Sequence, residues 1–213
     1  SSLSGLTAAT TASTLANGTN VITWNWSGLS AGTKGLIFGG TDILVNGITI
    51  GFGKYQGSNT NLAFGIYALN NNISGLYNTA IGSNALNKLT SGLSNIAIGE
   101  ASLYSLTNGA QNIGIGRQSL NATVSGTENI GIGDFSLTSM GTAYSNVAMG
   151  KNALYHLNTG NYNVAIGSSA LVATKGGNNT GIGYNVGSNL TTGTNNTIIG
   201  FNTGLGITTG GKN

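Results

Sequence analysis

Few side chains in this chain of 213 residues can take part in acid–base chemistry. His156 is the one histidine, and the acids are Asp42, Glu100, Glu128 and Asp134. A catalytic triad would need the histidine, and a glycosidase would need a carboxylate pair, either Glu100/Asp134 or Glu128/Asp134. The first pair is explained more simply by a column of alternating charges in a repeat. We therefore predict no catalytic residue and no enzymatic activity.

Motifs for cofactors, metals and nucleic acids are missing from the sequence. There is no cysteine, so disulfides and thiolate metal sites are excluded. Gly-x-Gly pairs are frequent, but neither a full GxGxxG motif nor a P-loop occurs. The net charge of +3 comes from scattered residues, without the basic cluster that phosphate binding requires. No run of 18 apolar residues exists. We predict no cofactor, no metal, no nucleic-acid partner and no membrane insertion.

Composition favours a β-rich fibrous protein. Glycine accounts for 37 residues and proline for none, and only 5% of residues are charged, against roughly 25% in typical soluble domains. The apolar fraction of 39% is too high for a disordered tail. Such a chain must cover its surface with uncharged Asn, Ser and Thr and pair its backbone in regular ladders.

A repeat of 17 residues, with one step of 16, runs through most of the chain. Each copy resembles Asn95–Gly99, Asn-Ile-Ala-Ile-Gly, and repetition at a fixed short period indicates a stacked architecture. The repeat glycines are Gly65, Gly82, Gly99, Gly116, Gly133, Gly150, Gly167, Gly183 and Gly200. The asparagines four residues earlier are Asn61, Asn78, Asn95, Asn112, Asn129, Asn146, Asn163, Asn179 and Asn196.

Alternation within each copy predicts a short strand. Ile96 and Ile98 point to one face and Ala97 to the other, where nearly every copy has Ala or Gly. We expect the bulky face to fill a core and the small face to lie against another backbone, which suggests a subunit contact. A second apolar anchor, a leucine four residues after the glycine, is replaced by Gly187 and Gly204, where we expect Leu190 and Ile207 to substitute.

Stacking of coils about 4.8 Å apart would align equivalent residues in columns. The asparagine column can then donate from its amides and accept at its carbonyls, which would join each coil to the next, although a local Asx-turn is the alternative. The residue after the glycine alternates in charge over four coils, which predicts a vertical ladder of Glu100, Arg117, Asp134 and Lys151. The thin coil buries few apolar side chains, so we expect self-association to supply further burial.

The residues before the repeat differ in character. We predict a β-rich N-terminal region over residues 1–55 and the repeat solenoid over residues 56–213. In the first region, Ile22, Trp24 and Trp26 alternate on one strand, either as a platform for a sugar or, as we favour, as a buried face. Asn46-Gly47 between Ile43–Val45 and Ile48–Ile50 predicts a hairpin. Residues 209–213 repeat the start of a further coil, so we expect the solenoid to continue.

Tyrosines in the variable loops are candidates for binding. A tyrosine ring suits a sugar ring, and a repeating surface would add avidity. Packing between coils or subunits is the alternative, which we favour. The candidate glycan contacts are Tyr77, Tyr104, Tyr144, Tyr155 and Tyr162.

The repeat motif Asn-Ile-Ala-Ile-Gly-x-x-Ala/Ser-Leu resembles the head repeats of trimeric autotransporter adhesins and, more closely, the repeats of phage tail fibres. Leu3–Thr10, Thr23–Trp26 and Val45–Gly51 are similar to segments that precede such repeats. The resemblance implies an all-β, left-handed parallel β-roll of about nine coils, with three intertwined chains. This sequence departs from the adhesin heads in its longer 17-residue coil and in the leucine that stands where they often carry alanine.

The resulting hypothesis is a structural and receptor-attachment segment of a homotrimeric phage tail fibre. Its expected partners are two further copies of itself, other fibre or tail proteins, and a cell-surface glycan or protein receptor, with the virion as its location. A bacterial surface adhesin at the cell surface is the main alternative, and an export signal or membrane anchor in the full gene would identify it. An ice-binding protein and a capsule depolymerase are less favoured alternatives.

Overall fold

A computed structural model describes residues 43–45, 48–51 and 60–212 of the chain. The predicted N-terminal strand with Trp24 and Trp26, the Asn46-Gly47 turn and Asp42 lie outside these ranges. The described residues form one eleven-stranded sheet in which the strands follow each other in sequence order. Its strands are β1 (Ile43–Val45), β2 (Ile48–Gly51), β3 (Leu62–Ile66), β4 (Thr79–Ile81), β5 (Ile96–Ile98), β6 (Ile113–Ile115), β7 (Ile130–Ile132), β8 (Val147–Met149), β9 (Val164–Ile166), β10 (Thr180–Ile182) and β11 (Thr197–Ile199).

Strands β3–β11 pair in parallel, each with its equivalent in the next repeat. Ile98 of β5 lies opposite Ile81 of β4 on one side and Ile115 of β6 on the other. Residues 60–212 therefore form an all-β parallel solenoid of about eight turns, as the repeat predicts, and the described residues contain no helix. Equivalent residues from consecutive repeats lie directly over one another.

The single 16-residue step leaves this register unchanged. Val164 still pairs with Thr180, and Ile166 with Ile182. The missing residue falls in the turn between Thr174 and Gly176, which are two residues apart, whereas the equivalent residues Leu89 and Gly92 are three apart.

Two antiparallel strands precede the solenoid at the positions predicted for the hairpin. In β1 and β2, Val45 lies opposite Ile48 and Ile43 opposite Ile50. β2 then pairs antiparallel with β3, with Ile48 opposite Ile66. The backbone of the first solenoid strand is thereby paired on both sides, so β3 presents no free edge.

The buried face of each solenoid strand is the opposite of the one predicted. Ala97 is fully buried, whereas Ile96 and Ile98 are only partly buried, and the other coils show the same pattern. The small face points into the coil because leucines from the opposite wall already fill the interior. A Cβ added at Gly114 would lie 3.2 Å from Cγ of Leu103, which shows how narrow this space is. The bulky apolar residues therefore point outward.

The interior is filled by two columns of side chains. The predicted leucine anchors are fully buried, and a second column three residues further on is buried as well. Leu190 belongs to this second column, and Ile207 packs against the core, so both fill the interior as expected. The column exists in the earlier coils too, however, where its members include Leu89, Leu106, Thr123, Met140, Leu157 and Thr174.

The leucine anchors adopt an unusual backbone conformation. From Leu69 to Leu171, their φ angles lie between 49° and 54°, in the left-handed region that L-residues other than Asn, Asp and Gly seldom occupy. Gly187 and Gly204 take the same place with φ angles of 54° and 71°. Glycine thus replaces leucine where the backbone already suits it, at the cost of a core side chain.

Candidate interaction surfaces

The asparagine column joins neighbouring coils inside the solenoid. The side-chain oxygen of Asn95 accepts the backbone N–H and the Nδ2–H of Asn112, both at 3.0 Å. Nδ2 of Asn95 in turn donates to the carbonyl of Gly109 in the next coil at 2.9 Å. The same coil-to-coil bonds recur along the column from Asn61 to Asn196. The geometry is thus that of a ladder between coils rather than of a local turn.

The glycine that ends each solenoid strand allows the coils to stack closely. At Gly116, φ is 125°, and an added Cβ would lie 2.6 Å from the carbonyl carbon of Gly133 in the next coil. A side chain there would meet backbone, which cannot move aside as a flexible side chain could. The glycine and asparagine columns therefore hold neighbouring coils at close spacing.

The predicted charge column is aligned, but its side chains pair at one step. The backbone N–H groups of Gln118, Phe135 and Asn152 donate to the carbonyls of Glu100, Arg117 and Asp134 respectively, which stacks the four charged positions. Nε of Arg117 lies 3.7 Å from Oδ2 of Asp134, whose Oδ1 accepts the backbone N–H of Arg117 at 3.0 Å.

Glu100 with Arg117 and Asp134 with Lys151 form no ion pair within 4.0 Å in the described part of the chain. Lys151 thus follows Asp134 in this column, and the carboxylate of Asp134 is hydrogen-bonded to the preceding coil at Arg117. Glu100 and Asp134, considered above as a glycosidase pair, lie two coils apart with Arg117 between them. They are members of one surface column of charges.

The outward residues of the solenoid strands form a largely apolar surface, which we call the outer strand face. It consists of the first and third residues of the repeated strand triplet in β3–β11. Its first column is Leu62, Thr79, Ile96, Ile113, Ile130, Val147, Val164, Thr180 and Thr197, and its second is Phe64, Ile81, Ile98, Ile115, Ile132, Met149, Ile166, Ile182 and Ile199.

Every residue of the second column is large and apolar, yet none is buried. Phe64 is 49% exposed and Ile199 is 63% exposed, and the central isoleucines are partly exposed. At about 4.8 Å per coil, the surface extends over roughly 40 Å. A contiguous apolar surface of this kind is typical of an interaction site.

The candidate tyrosines are divided among separate groups. Tyr144 and Tyr162 meet edge to face with ring centroids 5.3 Å apart, and the hydrogen bond with Tyr144 raises the pKa of the exposed Tyr162 above its usual value. Nζ of Lys88 lies 4.9 Å from the ring centroid of Tyr104. Tyr77 is exposed, and Tyr155 belongs to another aromatic group, with Phe135 and His156.

Sequence reasoning missed an aromatic pair near the last strands. Tyr184 and Phe201 stack with centroids 5.4 Å apart and an interplanar angle of 18°. Both residues directly follow a repeat glycine, so they continue the column that holds the four alternating charges. Extending that column by three coils beyond Lys151 would have predicted their contact.

Comparison of the chain with known protein families, with curated proteins and with solved structures found no match. Within the described ranges, no helix is long and apolar enough to cross a membrane. Functional inference therefore depends on the surfaces themselves and on the repeat motif.

Proposed function

We propose that this chain is a structural and receptor-attachment segment of a homotrimeric fibre of the phage tail type. In this proposal three copies of a left-handed β-roll lie side by side, with their outer strand faces turned towards each other. The segment spaces and stiffens the fibre and presents a surface to the host cell. It performs no catalysis.

The outer strand face carries the proposal. Its isoleucines and Met149 would expose apolar area to water on an isolated chain, at a cost of about 25 cal/mol for each Å². The interior of the coil cannot accept them, because the leucine and second anchor columns already occupy it. Burial against a partner is the remaining way to remove this area from water.

A second copy of the chain is the partner that best fits this surface. The columns repeat at the spacing of the coils, so an identical solenoid placed alongside presents residues of the same period. Association would also add the core area that a thin coil lacks. The number three comes from the resemblance of the Asn-Ile-Ala-Ile-Gly repeat to trimeric fibres.

The oligomeric state tests the association. In sedimentation equilibrium, the chain should have three times its mass of 21.3 kDa. The double variant Ile98→Lys/Ile132→Lys places charges on the outer strand face and should dissociate the trimer. The control Asn108→Lys puts a single positive charge on an exposed turn and should leave the mass unchanged. A wild-type monomer, or a double variant that stays trimeric, would contradict the proposal.

Cell binding tests the attachment role. Fluorescently labelled trimer should bind saturably to some strains in a panel of bacteria, and periodate oxidation of the surface glycans should reduce binding to those strains. Failure to bind any strain would contradict attachment even if the trimer forms. Release of reducing sugar from capsule or lipopolysaccharide would contradict the non-catalytic role.

A further inference from the structure

A cavity of about 420 Å³ opens on the surface of the turns that follow the strands. This volume lies in the lower part of the range of roughly 300–1,000 Å³ that is typical of small-ligand sites. The lining residues come from three successive coils and are Phe135, Lys151, Asn152, Tyr155, His156 and Val172.

The backbone ladder of the solenoid holds these residues in place. The backbone N–H of Asn152 donates to the carbonyl of Asp134 at 3.0 Å, and the N–H of His156 donates to the carbonyl of Val172 at 3.0 Å. The cavity is therefore supported by regular coil-to-coil hydrogen bonds, which makes it a preformed site rather than the gap of an irregular loop.

One wall of the cavity is aromatic. The ring of Tyr155 meets Phe135 at 6.5 Å between centroids and His156 at 4.7 Å, both edge to face. The guanidinium of Arg117 lies 4.6 Å from the centroid of the Phe135 ring and so helps to fix it. Aromatic rings beside a partly open cavity offer the apolar surface against which the C–H face of a sugar packs.

The remaining lining groups favour an anion. Lys151 provides an ammonium with three N–H donors, and Asn152 an amide that can both donate and accept. No carboxylate lines the cavity. In the acid nearest in the column, Asp134, Oδ1 accepts the backbone N–H of Arg117 at 3.0 Å and Oδ2 lies 3.7 Å from Nε of Arg117. Lys151 has no ion pair within 4.0 Å among the described residues.

We propose that this cavity binds a sugar that bears a carboxylate, such as a uronic acid unit of a surface polysaccharide. The sugar ring packs against Tyr155, the ammonium of Lys151 pairs with the carboxylate, and Asn152 and His156 bond to hydroxyls. The inference rests on the proposed role of the fibre in attachment and specifies the class of glycan that it recognises.

The repeats supply variants that should preserve the fold. Ser168 occupies the position of Lys151 in the next coil, Asn121 that of Tyr155, and Ser139 that of His156. The substitutions Lys151→Ser, Tyr155→Asn and His156→Ser therefore introduce residues that other coils already carry at the same positions. Tyr104→Asn makes the same exchange as Tyr155→Asn outside the cavity and is the matched control.

Saturation-transfer NMR on the wild-type trimer provides the test, with D-glucuronic acid, D-glucose and glucose 6-phosphate as probes. Glucuronic acid should bind at least about tenfold more tightly than glucose, since the two differ in the carboxylate. Lys151→Ser should remove this preference, Tyr155→Asn should weaken binding of both sugars, and Tyr104→Asn should change neither.

Absence of binding by glucuronic acid, or equal binding by wild type and Lys151→Ser, would overturn the inference. Glucose 6-phosphate bound as tightly as glucuronic acid would also overturn it, because the site would then recognise negative charge rather than a carboxylate. These results are independent of the sedimentation measurement. A trimer that ignores glucuronic acid contradicts this inference alone, whereas a monomer that binds it contradicts the fibre.

Discussion

The side chain of Asn112 makes hydrogen bonds to both neighbouring coils at once. Its Nδ2 donates to Oδ1 of Asn95 at 3.0 Å and to the carbonyl of Gly126 at 2.8 Å, while its Oδ1 accepts two N–H groups of Asn129 at 3.1 Å. All of these bonds are buried. Asn112 thus ties three coils together, and both of its side-chain polar atoms have partners.

Replacement of Asn112 by aspartate should destabilise the solenoid strongly. Asn112→Asp keeps the shape but removes both donors and sets a buried carboxylate against two oxygen acceptors, at a cost of about 3 kcal/mol or more. The measurement is the thermal midpoint by circular dichroism at one protein concentration. Asn121→Asp is the control, because the partly buried Asn121 makes one such bond, from Nδ2 to Ala101, and should cost about 1 kcal/mol. Equal losses for the two variants would argue against the ladder.

Substitution of a strand-end glycine should be similarly damaging. Gly116→Ala adds a Cβ 2.6 Å from the backbone of Gly133 at a φ of 125°, so the coils must separate and the loss should reach about 3 kcal/mol. A Cβ at Gly206 meets nothing within 4 Å. Gly206→Ala should therefore change the midpoint little. If Gly116→Ala proved equally harmless, the coils would have to be stacked more loosely than the structure has them.

Two threonines of the second interior column should respond in opposite directions to removal of the hydroxyl. Oγ1 of Thr123 is buried without a hydrogen-bond partner, whereas Oγ1 of Thr174 donates to the carbonyl of Leu190 at 3.2 Å. Thr123→Val should stabilise the chain by about 1 kcal/mol, because it replaces an unsatisfied hydroxyl with a methyl group of similar size. Thr174→Val should destabilise it by about 1 kcal/mol. Denaturant unfolding of both variants compares them directly, and a loss for Thr123→Val would imply a partner for that hydroxyl.

The charge column should contribute only weakly to the free energy of unfolding, and its contribution should depend on salt. Arg117 and Asp134 have side chains that are 50% and 47% exposed, so Asp134→Lys should cost only about 1 kcal/mol at low salt. Most of this loss should disappear in 1 M salt, where the Debye length is about 3 Å. Glu100→Lys, at a position without an ion pair within 4.0 Å, should have a smaller effect. If the loss of stability in Asp134→Lys persisted at high salt, its cause would be the missing hydrogen bond from the backbone N–H of Arg117 and not the ion pair.

The repeat period alone is enough to predict the stacking, the strand positions and the alignment of Asn95 with Asn78 and Asn112. It did not determine which face is inside. Alternation shows that Ala97 and Ile98 point in opposite directions, and the larger side chain is usually the buried one. Here the leucines of the opposite wall fill the narrow interior, so the inward position holds Ala or Gly. The exception is the buried Ile198, which lies beside Gly187 and Gly204, where the leucine anchor is missing.

Two further features were beyond the reach of the pattern. Leucine rarely adopts a positive φ, so nothing in the spacing of Leu103 or Leu120 indicates their left-handed backbone. The cavity at Lys151 depends on an uneven distribution of side chains over three coils, and averaging over repeats removes such differences. A repeat consensus describes what the coils share, and a binding site lies where they differ.

The coil between Gly167 and Gly183, which is one residue shorter, shows how the solenoid accommodates a change in coil length locally. Asn179 still bonds to Oδ1 of Asn163 through its backbone N–H at 3.0 Å, and Asn196 follows Asn179 in the usual way. The deletion is thus absorbed within a single turn, and no frameshift in pairing travels further along the stack. The turn around Lys175 is consequently a natural place for insertions, where evolution or an engineer can graft new loops while the scaffold on either side stays intact.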